Sequence, residues 1–182
     1  MTYEKITDDG RLWSVIYADE RVCALESVFD DWGNPEWLER FFLANIDDLE
    51  SYFKITDVNR AIYDTLVDRD ILQCLILDIS PDANLDDLFR PLENLRSSEA
   101  LLGREKAKLN KRPKHASWLR LYAIKLEPGI YIVTGGAIKL TKTMQERSHT
   151  LRELEKMEKV RNDLISQNVI DADSFVEYLA DV

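Results

Sequence analysis

Four side chains in the second half of the chain have the chemistry needed to act on a phosphodiester: Arg120, Lys139, Lys142 and His149. Cleaving RNA requires little machinery. The 2′-hydroxyl attacks the adjacent phosphate, so a site must neutralise charge on the phosphate oxygens, accept one proton and return another. Arg and Lys serve the first need. His, or a lysine with a lowered pKa, serves the second. Lys106, Lys108, Lys111, Arg112, Lys114 and Arg147 add the cations that would grip a nucleic-acid backbone, with His115 beside them. Trp118 and Tyr122 are the aromatic residues placed to stack a base.

The charge distribution supports this focus. The chain of 182 residues carries −10 at pH 7, which disfavours a generic nucleic-acid binder. The charge is uneven, however. Residues 1–89 hold 7 Lys/Arg against 21 Asp/Glu, a net −14. Residues 90–162 hold 17 against 8, a net +9, and residues 163–182 hold 5 acids and no base. A basic block in an acidic chain either binds an anionic partner or is attracted to the chain's own acidic half.

Elements must position these groups. "RLWSVIYA" reads as a strand. Val22, Leu25, Phe29 and Trp32 mark a helical face, and "WGNP" ends it. Asn34 is a good N-cap with Pro35 in the first turn of the next helix. One apolar stripe runs from Leu38 through Phe41, Phe42, Ile46 and Leu49 to Phe53. Asp57 can cap a third helix, with a break expected near residues 68–70. "ISPDANLDD" is turn chemistry, and a short amphipathic piece with Leu85, Leu88, Phe89 and Leu92 follows. Residues 96–116 look basic and irregular, an insertion or mobile segment.

"SWLRLYAIKL" and "GIYIVTGGAIKL" then predict two strands joined at Pro128–Gly129. With the turn centred there, Arg120 lies opposite Ala137 and Lys139 is its diagonal neighbour. By the period of two, Trp118, Arg120, Tyr122 and Ile124 share one face, while Leu119, Leu121 and Ala123 take the core face. Gly135–Gly136 is a candidate bulge. From Thr150 the spacing of Leu151, Leu154, Met157, Val160 and Leu164 predicts a helix, with Thr150 and Glu153 as a capping box. "DADSFVEYLADV" suggests a last short helix.

The expected architecture is one α+β domain over 1–182. Its acidic helical half (1–95) supplies helices that cover a small antiparallel sheet, and its basic half (96–182) supplies sheet and C-terminal helix. Cys23 and Cys74 are expected in the core of a protein from a reducing compartment. No run is long enough to span a bilayer, so the protein is expected to be soluble and cytoplasmic. Neither a metal site nor a cofactor is indicated. "TGGAIK" lacks the spacing of a phosphate loop.

Residues 120–164, "RLYAIKLEPGIYIVTGGAIKLTKTMQERSHTLRELEKMEKVRNDL", resemble the end of the RelE/ParE/HigB superfamily of toxins from toxin–antitoxin modules. The elements that carry the resemblance are Arg120, Tyr122, Pro128–Gly129, "YIVTGG", Lys139, Lys142, Thr150, Glu153, Lys156 and Arg161. "LFRPLENL", residues 88–95, resembles the segment that leads into that family's first basic strand. The resemblance implies a small sheet packed on two helices and a cognate antitoxin as partner. It implies ribosome-dependent mRNA cleavage for the RelE and HigB branches and gyrase poisoning for the ParE branch. The chain departs from the pattern in its longer N-terminal half, its acidic net charge and the sequence Gly136-Ala137-Ile138-Lys139, which has no second adjacent lysine. Two functions stay open at this point. One is an mRNA endoribonuclease with Arg120, Lys139, Lys142 and His149 at its centre. The other is a non-catalytic module that docks a protein or nucleic-acid partner through the basic block.

Overall fold

The structure is a computed structural model, and it describes residues 1–77, 85–92, 101–109 and 115–180. Its strands are β1 (Thr2–Lys5), β2 (Leu12–Ile16), β3 (Phe89–Pro91), β4 (Gly103–Ala107), β5 (Leu119–Glu127) and β6 (Ile130–Ile138). They form one sheet in the order β1-β2-β6-β5-β4-β3. Every neighbouring pair is antiparallel except β2 and β6, which run parallel. The expected α+β class with a mainly antiparallel sheet is therefore met, in a larger sheet than the sequence suggested.

Helices cover both faces. On one side lie α1 (Ala24–Gly33), α2 (Pro35–Ala44), α3 (Ile46–Phe53), α4 (Val58–Leu77) and the single turn α5 (Leu85–Leu88). Phe29, Trp32, Leu38, Phe42, Leu49 and Leu72 from this layer share a core with Leu119, Leu121, Ala123 and Val133 of the sheet. On the other side lie α6 (Ser148–Ser166) and α7 (Ala172–Ala180). Met157, Val160, Leu164 and Phe175 pack there against Tyr122, Ile124 and Ile132. The alternation expected along β5 thus divides its side chains between two cores.

Local chemistry explains several boundaries. The Asn34 side chain accepts hydrogen bonds from the N–H groups of Glu36 and Trp37, and Pro35 opens α2. Asp57 accepts from the Arg60 N–H at the start of α4. Gly129 has φ +83°, a conformation that few other residues adopt cheaply, and closes the β5–β6 hairpin.

Other expectations are corrected. The stripe from Leu38 to Phe53 belongs to two helices, because the chain turns at Asn45, whose side chain donates to the Phe41 carbonyl. The third helix does not break near Asp68–Asp70: α4 is continuous over 20 residues. The basic segment is not irregular throughout, since Gly103–Ala107 pairs with both β3 and β5. Cys74 is exposed on α4, although Cys23 is buried as expected. Leu151 is largely exposed, while Met157, Val160 and Leu164 are fully buried. Among the described residues, no helix is long and apolar enough to cross a membrane.

Thr150 and Glu153 do not form a capping box. The Thr150 hydroxyl donates instead to the carbonyls of Met144 and Arg147. Glu153 points at the sheet. There, a Cβ on Gly135 would collide with its carboxylate, and a Cβ on Gly136 would stand 2.8 Å from Val28 Cγ1 of α1. The two glycines let a helix approach β6 from each side. The expected bulge is present beside them. Tyr122 pairs with Gly135 and Ala123 with Val133, so Thr134 is the extra residue.

Candidate functional site

The β5–β6 register places Arg120 directly across from Ala137, because the shift at Thr134 is offset by a second one between Lys125 and Glu127. Lys139 follows two residues later, just past the end of β6, where its N–H donates to the Trp118 carbonyl. On the other side of β5, Lys106 pairs with Tyr122 and Arg104 with Ile124. Arg104, Lys106, Arg120, Tyr122, Ala137 and Lys139 therefore project from the same face, the one that carries α6. The connection between β6 and α6 and the side chain of Leu154 close a wall beside them.

The result is a cleft of about 390 Å³. Six cations line it: Arg104, Lys106, Lys108, Arg120, Lys139 and Lys142. Leu92, Tyr122, Met144 and Leu154 supply its apolar surface, and Thr143 and Gln145 its uncharged polar surface. Among the described residues, no Asp, Glu or His is among the lining side chains.

Arg120 is held by its own strand. Its Nη1 donates to the carbonyls of Ser117 and Leu119, each at 2.7 Å. Among the described residues no carboxylate pairs with it. Burial lowers its pKa from the ordinary value. Lys106 Nζ donates to the Leu92 carbonyl at 2.8 Å. Burial lowers the Lys106 pKa, and the charges of Arg120 and Lys108 add to the effect. Lys139 Nζ donates to the carbonyls of Thr141 and Lys142. Its pKa is lowered by burial first, then by Arg120 and Lys106. Arg104 has Glu158 as a partner, at 3.2 Å.

Two of the expected site residues lie elsewhere. His149 is not in the cleft. Its Nε2 is 3.0 Å from the Ile138 carbonyl, and its ring meets the Phe41 ring edge-to-face. Burial lowers its pKa, which keeps the imidazole neutral. Arg147 is a two-pronged partner of Asp48, bonding both carboxylate oxygens. This pair ties the start of α6 to α3, and it consumes the cation expected to hold nucleic acid. Trp118 is also absent from the lining. It precedes β5, so the period of two does not yet govern it. Its ring is fully buried with Phe42 and Phe53, and its Nε1 donates to Thr65 Oγ1. His115 stacks on Trp118 and bonds Asp64. Lys111, Arg112 and Lys114 lie outside the described residues.

Arg104 was absent from the sequence-based set. The signal was present: in "GREKAKL" the cations at 104, 106 and 108 alternate with Glu105 and Ala107, the period of a strand. Thr143, Gln145 and Met144 join the site only through the course of the β6–α6 connection, which no periodicity encodes. Among the described residues no cluster of His, Cys, Asp or Glu side chains could hold a metal ion. Compared with protein-family models, curated proteins and solved structures, the chain matches none.

Proposed function

We propose that the cleft is a phosphate site for RNA, and that the protein is a RelE/HigB-like mRNA endoribonuclease acting as the toxin of a toxin–antitoxin module. The observation that carries this reading is the gathering of six cations around one cleft with no carboxylate among its described lining side chains. Concentrated positive charge in a concave site favours a polyanion. Arg120 would neutralise the scissile phosphate, as its fixed guanidinium suits a planar, two-pronged contact. Lys106 and Lys139 have lowered pKa values, and a lysine so tuned can accept the proton of the 2′-hydroxyl or donate one to the leaving 5′-oxygen. Attack by the 2′-oxygen then forms the cyclic phosphate as the bond to the 5′-oxygen breaks. The sequence resemblance supports the same assignment and adds the ribosome and a cognate antitoxin as partners.

A second reading follows from the position of His149. With the imidazole bonded to the Ile138 carbonyl, no histidine is at hand for proton transfer, and the six cations lining the cleft suffice for docking. In that reading the protein is a binding module for RNA or an acidic partner and performs no chemistry.

Induced expression in a bacterial host separates the two. Wild type is compared with Arg120→Ala for growth and for new mRNA ends by primer extension. Growth arrest with cleaved mRNA, lost in a folded variant, supports the nuclease. Arrest without cleavage redirects attention to gyrase. Normal growth with abundant folded protein favours the binding module.

A further inference from the structure

The charge density of the cleft exceeds what an RNA strand supplies. Of its six cations, Arg104 has a carboxylate partner in Glu158. Lys106, Lys108, Arg120, Lys139 and Lys142 have none among the described residues. These side chains share a cleft of about 390 Å³; burial lowers the pKa of Arg120, Lys106 and Lys139, and the charge of Arg120 adds to the effect at both lysines. An internal phosphodiester brings about one negative charge per nucleotide. A cleft of this size admits about one nucleotide, which leaves most of the cations unmatched. A linear triphosphate has the opposite proportions: about four negative charges near neutral pH, packed into a short chain rich in acceptor oxygens.

We infer that the cleft binds a compact linear polyphosphate, either inorganic or as the tail of a nucleoside triphosphate, and that this ligand competes with RNA for the same site. The inference rests on the reading of the cleft as a phosphate site and adds a means of regulating it. Arg120 at the floor and Lys106 and Lys139 beside it would meet the chain. Lys108 and Lys142, both exposed, would close over its outer oxygens. No carboxylate among the lining side chains is available to share a divalent cation with the ligand. Mg²⁺ in solution would therefore neutralise the ligand and weaken its binding.

The test is displacement of a dye-labelled oligoribonucleotide with 2′-O-methyl sugars, which block attack on the phosphate. Tripolyphosphate, ATP and orthophosphate are titrated against the full chain at constant ionic strength without Mg²⁺, and tripolyphosphate is also titrated by calorimetry without RNA. Tripolyphosphate is expected to displace RNA at a concentration about a hundredfold below that of orthophosphate. Addition of Mg²⁺ is expected to reduce that advantage. Equal potency of ATP and tripolyphosphate assigns recognition to the phosphate chain alone, whereas greater potency of ATP adds the nucleoside. The double variant Lys108→Ala/Lys142→Ala changes only exposed side chains and is expected to lose most of the difference. If tripolyphosphate is no better than orthophosphate while RNA binds, the inference is overturned and the RNA site stands. Calorimetric binding of tripolyphosphate without RNA binding would overturn the RNA reading and the competition, and leave the polyphosphate site. Binding of neither would overturn both.

Discussion

The carboxylate of Glu153 on α6 fills the space that a side chain on Gly135 would need. The contact locks the last long helix onto the β6 bulge, close to the strand end that presents Lys139. Gly135→Ala is expected to destabilise the protein by about 2–3 kcal/mol, because the new methyl group must displace a buried carboxylate. Denaturant unfolding of the two proteins measures the difference, and an unchanged midpoint would show that α6 can move aside.

Glu153 also makes stability depend on pH. Burial raises its pKa above the ordinary 4.5, while Lys156 and the Gly136 N–H pull the other way with smaller effect. A raised folded pKa means that the protonated form is the one favoured by folding. This stabilisation is complete below 4.5 and is lost as pH rises through the folded value. Glu153→Gln cannot titrate. Thermal unfolding should therefore show the Gln variant gaining on wild type as pH rises from about 4 to about 7. Parallel curves would mean that the Glu153 carboxyl titrates alike in the folded and unfolded chain.

Arg120 and Arg147 were equal candidates by residue type, and the fold assigns them different work. Arg120→Ala is expected to weaken RNA binding by about 10–100-fold, the worth of one charge-assisted contact at a buried position. The slope of affinity against salt should fall by about one unit. Arg147→Ala breaks the pair with Asp48 and is expected to lower thermal stability while leaving RNA affinity unchanged. Filter binding over a salt series, beside melting curves, separates the two. Equal loss of affinity in both variants would place the RNA outside the cleft.

Trp118 offers a control on base stacking. Trp118→Phe keeps most of the buried ring and removes the donor to Thr65 Oγ1, whose own hydroxyl still donates to the Ala61 carbonyl. A stability loss of about 1–2 kcal/mol is expected, with no change in RNA affinity. A drop in affinity at full stability would mean that the indole reaches the ligand.

Much of this arrangement is legible in the sequence where the signal is local. Asn34–Pro35 announces a helix start. Pro128–Gly129 fixes the hairpin, but Arg120 lies opposite Ala137 because two register shifts, one at Leu126 on β5 and one at Thr134 on β6, offset each other. Distant choices are less visible. Asp48 lies 99 residues from Arg147 in sequence, and nothing near either residue reveals the pair. Glu153 has the spacing of a capping box, yet the glycines of β6 offer it another place. β1 was missed because a four-residue edge strand with mostly exposed side chains carries almost no apolar pattern. β4 is hard to read for a related reason: Arg104, Glu105 and Lys106 put charge on both faces, so its period of two is carried by the cations and not by apolar residues. The cations that line the cleft are the residues that obscure the strand that bears them.

The parallel pairing of β2 with β6 sets an order of events during synthesis. Leu12 needs Tyr131 as its neighbour, and Ser14 needs Val133, so the first hairpin has no sheet to join until the last third of the chain has left the ribosome. At about 5–20 residues per second, that interval lasts several seconds. The acidic helices of the first half can gather meanwhile, since α1, α2 and α4 pack on one another. The cleft comes last, because β6 completes both the sheet and the ring of cations. On the proposed reading of the cleft, a nascent chain would gain its grip on polyanions only after β6 and the connection to α6 are made, and a shorter nascent chain would lack the means to seize the message or ribosome that is making it.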